Sequence, residues 1–154
     1  MKPESILVFW FKELDPEQWF KKDLSLDSHI KERFADFHTA AAAGELYGWR
    51  KTVHGRLAEI IVLDQFSRNI YRDEPGAFAC DPMALALAQE AVTHGLDGKL
   101  PKPTEKLFLY IPYIHSESEM MHDIALDLFD QPGLESNHAF EIKHKQIIDR
   151  FGRY

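Results

Sequence analysis

Apolar residues recur at helical spacing along most of this chain, and strand-type alternation is nearly absent. Each residue advances a helix by about 100°, so positions three and four apart share a face. From Leu26 to Gly44 the residues Leu26, Ile30, Phe34, Phe37 and Ala41 make one apolar stripe, and Gly44 suits the position just past a helix end. Residues 53–71 are apolar over much of the circumference, as a central helix should be. Asp97-Gly98, a dipeptide that often turns hairpins, stands in LDGKLPKP rather than between two strand-like runs.

The remaining elements follow from start and stop signals. Pro3 opens a short helix over 3–13, and Asp15-Pro16 opens a turn or short helical piece carrying Trp19 and Phe20. RDEPG at 72–76 is a turn. Asp81-Pro82 reads as N-cap plus first helical residue of a helix that runs to His94 and stops at Gly95. Ala84, Ala88 and Ala91 line one side of it and permit close packing. Thr104 caps EKLFLYIPYI, which Pro112 kinks or ends. Ser116 with Glu119 has the capping-box spacing and starts a helix over 117–130. Gln131-Pro132-Gly133 breaks the chain before a last helix over 137–151. The expected fold is all-α. About seven helices pack as antiparallel pairs in one domain spanning 1–154, tetratricopeptide-like or α-solenoid-like, with an irregular bundle as the alternative.

Charge narrows the partners. Eighteen basic against 25 acidic residues leave −7, which speaks against nucleic acid or an anionic membrane surface. The run ILVFWF near the N-terminus is too short for a signal segment, and nothing approaches a membrane span. Cys80 is the sole cysteine, so no intramolecular disulfide forms, and a reducing, cytoplasmic setting is expected.

Candidate chemistry begins where charge interrupts an apolar face. Leu57, Ile61, Asp64, Arg68 and Tyr71 share one face of the 53–71 helix. Buried charges are costly unless paired, so Asp64 and Arg68 are either a structural ion pair or the wall of a site. In the second case Arg68, joined by Arg72, binds a carboxylate or phosphate while Asp64 orients the guanidinium. Gln65 and Asn69 fall on the flank, where side chains are usually solvated.

His115, Glu117, Glu119, His122 and Asp123 form the densest His/carboxylate group. In an unbroken helix His115, Glu119 and His122 would share a face, a spacing that suits a divalent metal or an acid/base pair. The capping box argues for a break after His115, and no HExxH is found. No metal at His115–His122 and no cofactor is therefore expected. His144 sits among Phe140, Ile147, Ile148 and Phe151, either as a hydrogen-bonded core histidine or as a site contact. Arg150 and Arg153 complement the helix C-terminus. Cys80 has no neighbouring base to make it a nucleophile. No P-loop, GxGxxG or GxSxG occurs.

The order FWF (9–11), Trp19-Phe20, Arg33-Phe34, LDQFSRNIYR (63–72), FACD (78–81), IPYIHSE (111–117) and RFGRY (150–154) resembles a bacterial family, domain-of-unknown-function family 924. The resemblance covers essentially the whole chain. It implies a helical, tetratricopeptide-like fold and no established activity. It marks Asp64, Gln65, Arg68, Asn69, Arg72, Asp81, His115, Glu117, His144 and Arg153 as signature polar positions without assigned roles. Family chains usually continue past FGR with a proline and further Arg and Asn residues. The stop at Tyr154 therefore reads as a missing C-terminal tail.

The leading expectation is a helical binding module. Its polar pocket is lined by Asp64, Arg68, Arg72, His115, Glu117 and His144 and takes a small anionic molecule or a peptide. One alternative is a hydrolase-type enzyme using a His/Glu acid–base or metal-assisted site. The other makes the polar cluster purely structural.

Overall fold

A computed structural model describes residues 1–151, apart from the side chains of Ile148 and Phe151. Among them are seven helices and no strand. Helix α1 is Pro3–Val8 and runs on as a π-helical turn, Phe9–Glu13. Helix α2 is Leu24–Ala42; the Asp23 carboxylate caps it by accepting from the Ser25 and Leu26 amides at 3.0 and 3.2 Å. Helix α3 comprises Val53–Ile61, a π-helical turn Val62–Phe66, and Ser67–Ile70. Then come α4 (Asp81–Thr93), α5 (Pro103–His115), α6 (Glu119–Phe129) and α7 (Glu135–Phe151). Gly44 and Gly95 follow α2 and α4 at φ +77° and +69°, the left-handed region where a Cβ is strained.

Helix α3 is the axis of the fold, packing against α1, α2, α4 and α5. Every residue from Leu57 to Ser67 is buried. A regular amphipathic helix hides only a stripe. Here four neighbours surround the helix, and the π turn inserts an extra residue that shifts the stripe mid-way. Gly55 marks the closest approach, since a Cβ there would lie 1.9 Å from the Trp49 carbonyl oxygen. Beyond α5 the chain adds α6 against α5 and α7 against α6. This order is compatible with tetratricopeptide-like stacking. No described helix is long and apolar enough to cross a membrane.

The N-terminal aromatics supply much of the core. Phe34 and Phe66 pack with ring centres 5.1 Å apart, and Trp10 meets Phe108 edge-on at 5.3 Å. Such pairs contribute about 0.5–1.5 kcal/mol each beyond the area they bury.

Several local expectations are corrected. Chain entry into α5 is at Pro103 rather than Thr104. Proline is pre-organised for the first helical position, and Glu105 Oε1 accepts the Lys102 amide at 3.2 Å. Pro112 does not end α5, which continues to His115. Its ring forfeits one hydrogen bond, but Leu107–Tyr113 are buried without interruption and hold the helix together. Ser118, not Ser116, caps α6, accepting the Met121 amide at 3.4 Å; Ser116 Oγ instead accepts the Ser118 amide at 3.1 Å. The Phe140/Ile147 stripe faces solvent, at 62% and 53% exposure, and Glu141 is the residue α7 buries among its described side chains. Arg153 lies outside the described residues, as do the side chains of Ile148 and Phe151.

His38 on α2 is buried, with Nε2 2.7 Å from Ser67 Oγ. The Ser67 hydroxyl already donates to the Leu63 carbonyl, so the imidazole Nε2–H is the donor. Burial pushes the His38 pKa down from 6.5. Below 6.5 the unfolded chain binds a proton that the native imidazole refuses, so stability falls as pH drops from 6.5 towards the lowered native value. We expect His38→Asn to flatten urea-determined stability across that interval. An unchanged slope would assign the acid sensitivity elsewhere.

Candidate functional site

The end of α3, the start of α4 and the end of α5 bring four charged or polar groups together. Asp64 lies in the π turn of α3 with 1% of its side chain exposed. Its Oδ1 accepts His115 Nδ1 at 2.7 Å and Arg68 Nη1 at 3.2 Å, and its Oδ2 accepts Gln65 Nε2 at 2.9 Å. Arg68 also donates from Nη1 to the Asp64 carbonyl at 3.0 Å. Its two terminal nitrogens then reach both oxygens of Asp81, at 2.8 and 3.0 Å. Burial works against the Arg68 charge. The Asp81 hydrogen bonds and the fields of Asp64 and Asp81 outweigh it and hold the pKa above its ordinary value. The guanidinium also lies over Phe78, 5.2 Å from the ring centre.

Two consequences follow from donor counting. A carboxylate only accepts, so His115 carries its hydrogen on Nδ1, leaving Nε2 without a protein partner among the described residues. Arg68 gives Nη1 and one Nη2 hydrogen to Asp81, which leaves Nε and the other Nη2 hydrogen, along the Nε–Nη2 edge, without an acceptor among the described residues. That edge is one of the two that match a carboxylate or phosphate bidentately.

Arg68, Asp81 and His115 border a cleft of about 980 Å³, while Asp64, expected in its wall, is buried behind them. Phe78, Pro82, Leu85, Pro112 and Ile114 supply its apolar walls; Arg68, Asp81, His115, Ser116, Glu117 and His144 supply its polar ones. A smaller hollow of about 150 Å³ is lined by Trp19, Phe20, Lys21, Gln65, Arg68, Asn69, Arg72 and His115. Arg68 and His115 therefore border both spaces, while Glu117 and His144 border only the larger. Arg72 borders only the smaller, and Asp27 takes two of its donors at 2.6 and 3.0 Å. Asn69 adds a third bond to Asp27 at 2.9 Å. Burial would raise the Asp27 pKa, but the bonds from Arg72 and Asn69 prevail and lower it. Gln65 and Asn69 are thus engaged within the protein instead of being solvated. Asp81 is the first residue of α4 and not its cap, its carboxylate being turned to Arg68.

A second cluster adjoins the cleft. His122 and Glu141 are each 1% exposed and in contact through Nδ1 and Oε1. His122 Nε2 lies 2.7 Å from the Ser116 carbonyl oxygen, and the His144 ring lies 6.3 Å from the His122 ring. His122 is fully enclosed. Glu141 was not singled out from the sequence. The signal existed in Glu141-Ile-Lys-His144, which puts a carboxylate and an imidazole on one helix face.

A family model described as "Bacterial protein of unknown function (DUF924)" matches residues 6–154. The chain belongs to this bacterial family. A solved structure similar to it is a protein of unknown function, ATU0120, from Agrobacterium tumefaciens, at 38% identity and TM-score 0.88. That likeness covers 99% of this chain and 85% of the Agrobacterium chain. No curated protein matches. The DUF924 assignment agrees with the motif order read from the sequence and brings the all-α fold with it.

Proposed function

We propose that this DUF924 protein binds a small carboxylate- or phosphate-bearing molecule, or the carboxylate of a peptide, in the large cleft. The observation that carries this reading is the Nε–Nη2 edge of Arg68, whose outward hydrogens meet no acceptor among the described residues while Asp81 and Asp64 hold the guanidinium at the border of the cleft. The two aspartates more than offset the single guanidinium charge, so the directed hydrogen bonds of the Arg68 edge and apolar contact must supply the affinity. Phe78, Leu85, Pro112 and Ile114 suit a ligand with an apolar body. His115, Glu117 and His144 orient it, and Asp64 behind them holds Arg68 and His115 in place. Arg72 is placed to contact only a ligand that extends into the smaller hollow.

The test is a thermal-shift screen of carboxylates, phosphates and short peptides. A ligand that binds only the native state raises the melting temperature by mass action. Leu85→Trp, which fills the cleft wall, should abolish the shift. No shift from any compound, or an equal shift in Leu85→Trp, overturns the reading.

The Asp64–His115 pair favours a second reading, hydrolase-type acid–base chemistry. A buried carboxylate that fixes the Nδ1–H tautomer leaves Nε2 to accept or return a proton. Under this reading a compound that shifts the melting point is also consumed, and His115→Gln stops its consumption while retaining the shift.

A further inference from the structure

We propose that His122, Glu141 and His144 form a binding site for one divalent transition-metal ion. This inference is independent of what Arg68 binds. One ligand atom from each of the three residues lies within 4.8 Å of the others. A metal bonded at about 2.0–2.2 Å brings tetrahedral ligands to roughly 3.4 Å apart, so small side-chain rotations complete the site.

Hydrogen bonding around His122 supplies the argument. The Ser116 carbonyl can only accept, so His122 Nε2 carries the hydrogen between them. A neutral imidazole then has its lone pair on Nδ1, and that nitrogen faces the Glu141 carboxylate. Two lone pairs confront one another in a buried place, and a positive charge must lie between them. A proton can serve, giving a buried imidazolium–carboxylate pair. It involves only two of the three groups, however. A metal ion uses the third, His144, as well.

The arrangement fits metal ligation in two further respects. A ligating histidine commonly donates its other N–H to a backbone carbonyl, which fixes ring and tautomer. His122 does this with Ser116. Glu141 and His144 stand three apart on α7 and His122 comes from α6, so the ligands rest on helices rather than on a loop. His144 also borders the large cleft, so the open side of a three-ligand site would face it. Two imidazoles and a carboxylate suit zinc, manganese or iron(II). The other close trio, Asp64, Asp81 and His115, differs. The Arg68 guanidinium already binds both of its carboxylates and takes the place of a cation.

The experiment is titration of chelator-stripped, tag-free protein with Zn²⁺ and Mn²⁺, read by calorimetry and by elemental analysis after dialysis. Co²⁺ absorption reports the nitrogen and oxygen ligands. We expect about one equivalent bound, with Glu141→Gln and His144→Gln each weakening it at least about tenfold. His54→Gln, a partly exposed histidine elsewhere, should leave the titration unchanged. His144 is only partly buried, so His144→Gln carries the test even if Glu141→Gln does not fold. A wild-type chain that binds none of the three ions overturns the site. So does binding that survives His144→Gln or is lost in His54→Gln.

Discussion

Replacing Arg68 with alanine is expected to destabilise the protein by about 3–5 kcal/mol, because removing one member of a buried ion pair strands the other. Asp64 is 1% exposed and Asp81 20% exposed at the side chain, and Arg68 bonds to both. Asp64 would keep its bonds from His115 and Gln65, which places the loss within that range rather than above it. Arg68→Lys should be intermediate, since an ammonium cannot span both oxygens of Asp81 while reaching Asp64. Urea denaturation measures the effect, with the m-value checking that the transition stays two-state. A loss below about 1 kcal/mol would mean that solvent screens the guanidinium as it does a surface pair, and the cleft would lose its anchor.

Part of this network was legible in the sequence. Asp64 and Arg68 stood out because charge interrupts an apolar stripe, and burial of such a pair follows from the stripe itself. The link to His115 was legible as well. The expected pocket already joined His115 to Asp64 and Arg68, and the apolar character of both segments favours a central place for each. The role of Asp81 was hidden by its context, because Asp before Pro at a helix start reads as a cap whatever its carboxylate does. Glu141 was hidden for a different reason. Its burial depends on His122, 19 residues away and on another helix, and no local period reports that. The Phe140/Ile147 stripe was misread because helical spacing marks a common face without saying whether anything covers it. The π turn in α3 also lay beyond the reach of a fixed 3.6-residue period, yet it is what buries Gln65 beside Asp64.

Arg50→Ala is expected to cost about as much as the Arg68 change, roughly 3–5 kcal/mol, while leaving ligand binding in the cleft intact. Glu59 on α3 is completely buried, and Arg50 pairs with it through two bonds of 2.8 Å. Neither residue borders the cleft. The two arginine–carboxylate systems are therefore alike in burial and unlike in surroundings, which separates a structural role from a functional one. A buried ion pair can often be exchanged for apolar side chains of similar volume with little loss of stability. Arg50→Met with Glu59→Leu should accordingly recover most of what Arg50→Ala loses, and the thermal shift produced by a cleft ligand should persist. Arg68→Met with Asp64→Leu should recover part of the stability in the same way, but the ligand shift should disappear. If the shift survives that second double substitution, the Asp64–Arg68 network serves the fold alone, as the Arg50–Glu59 pair does.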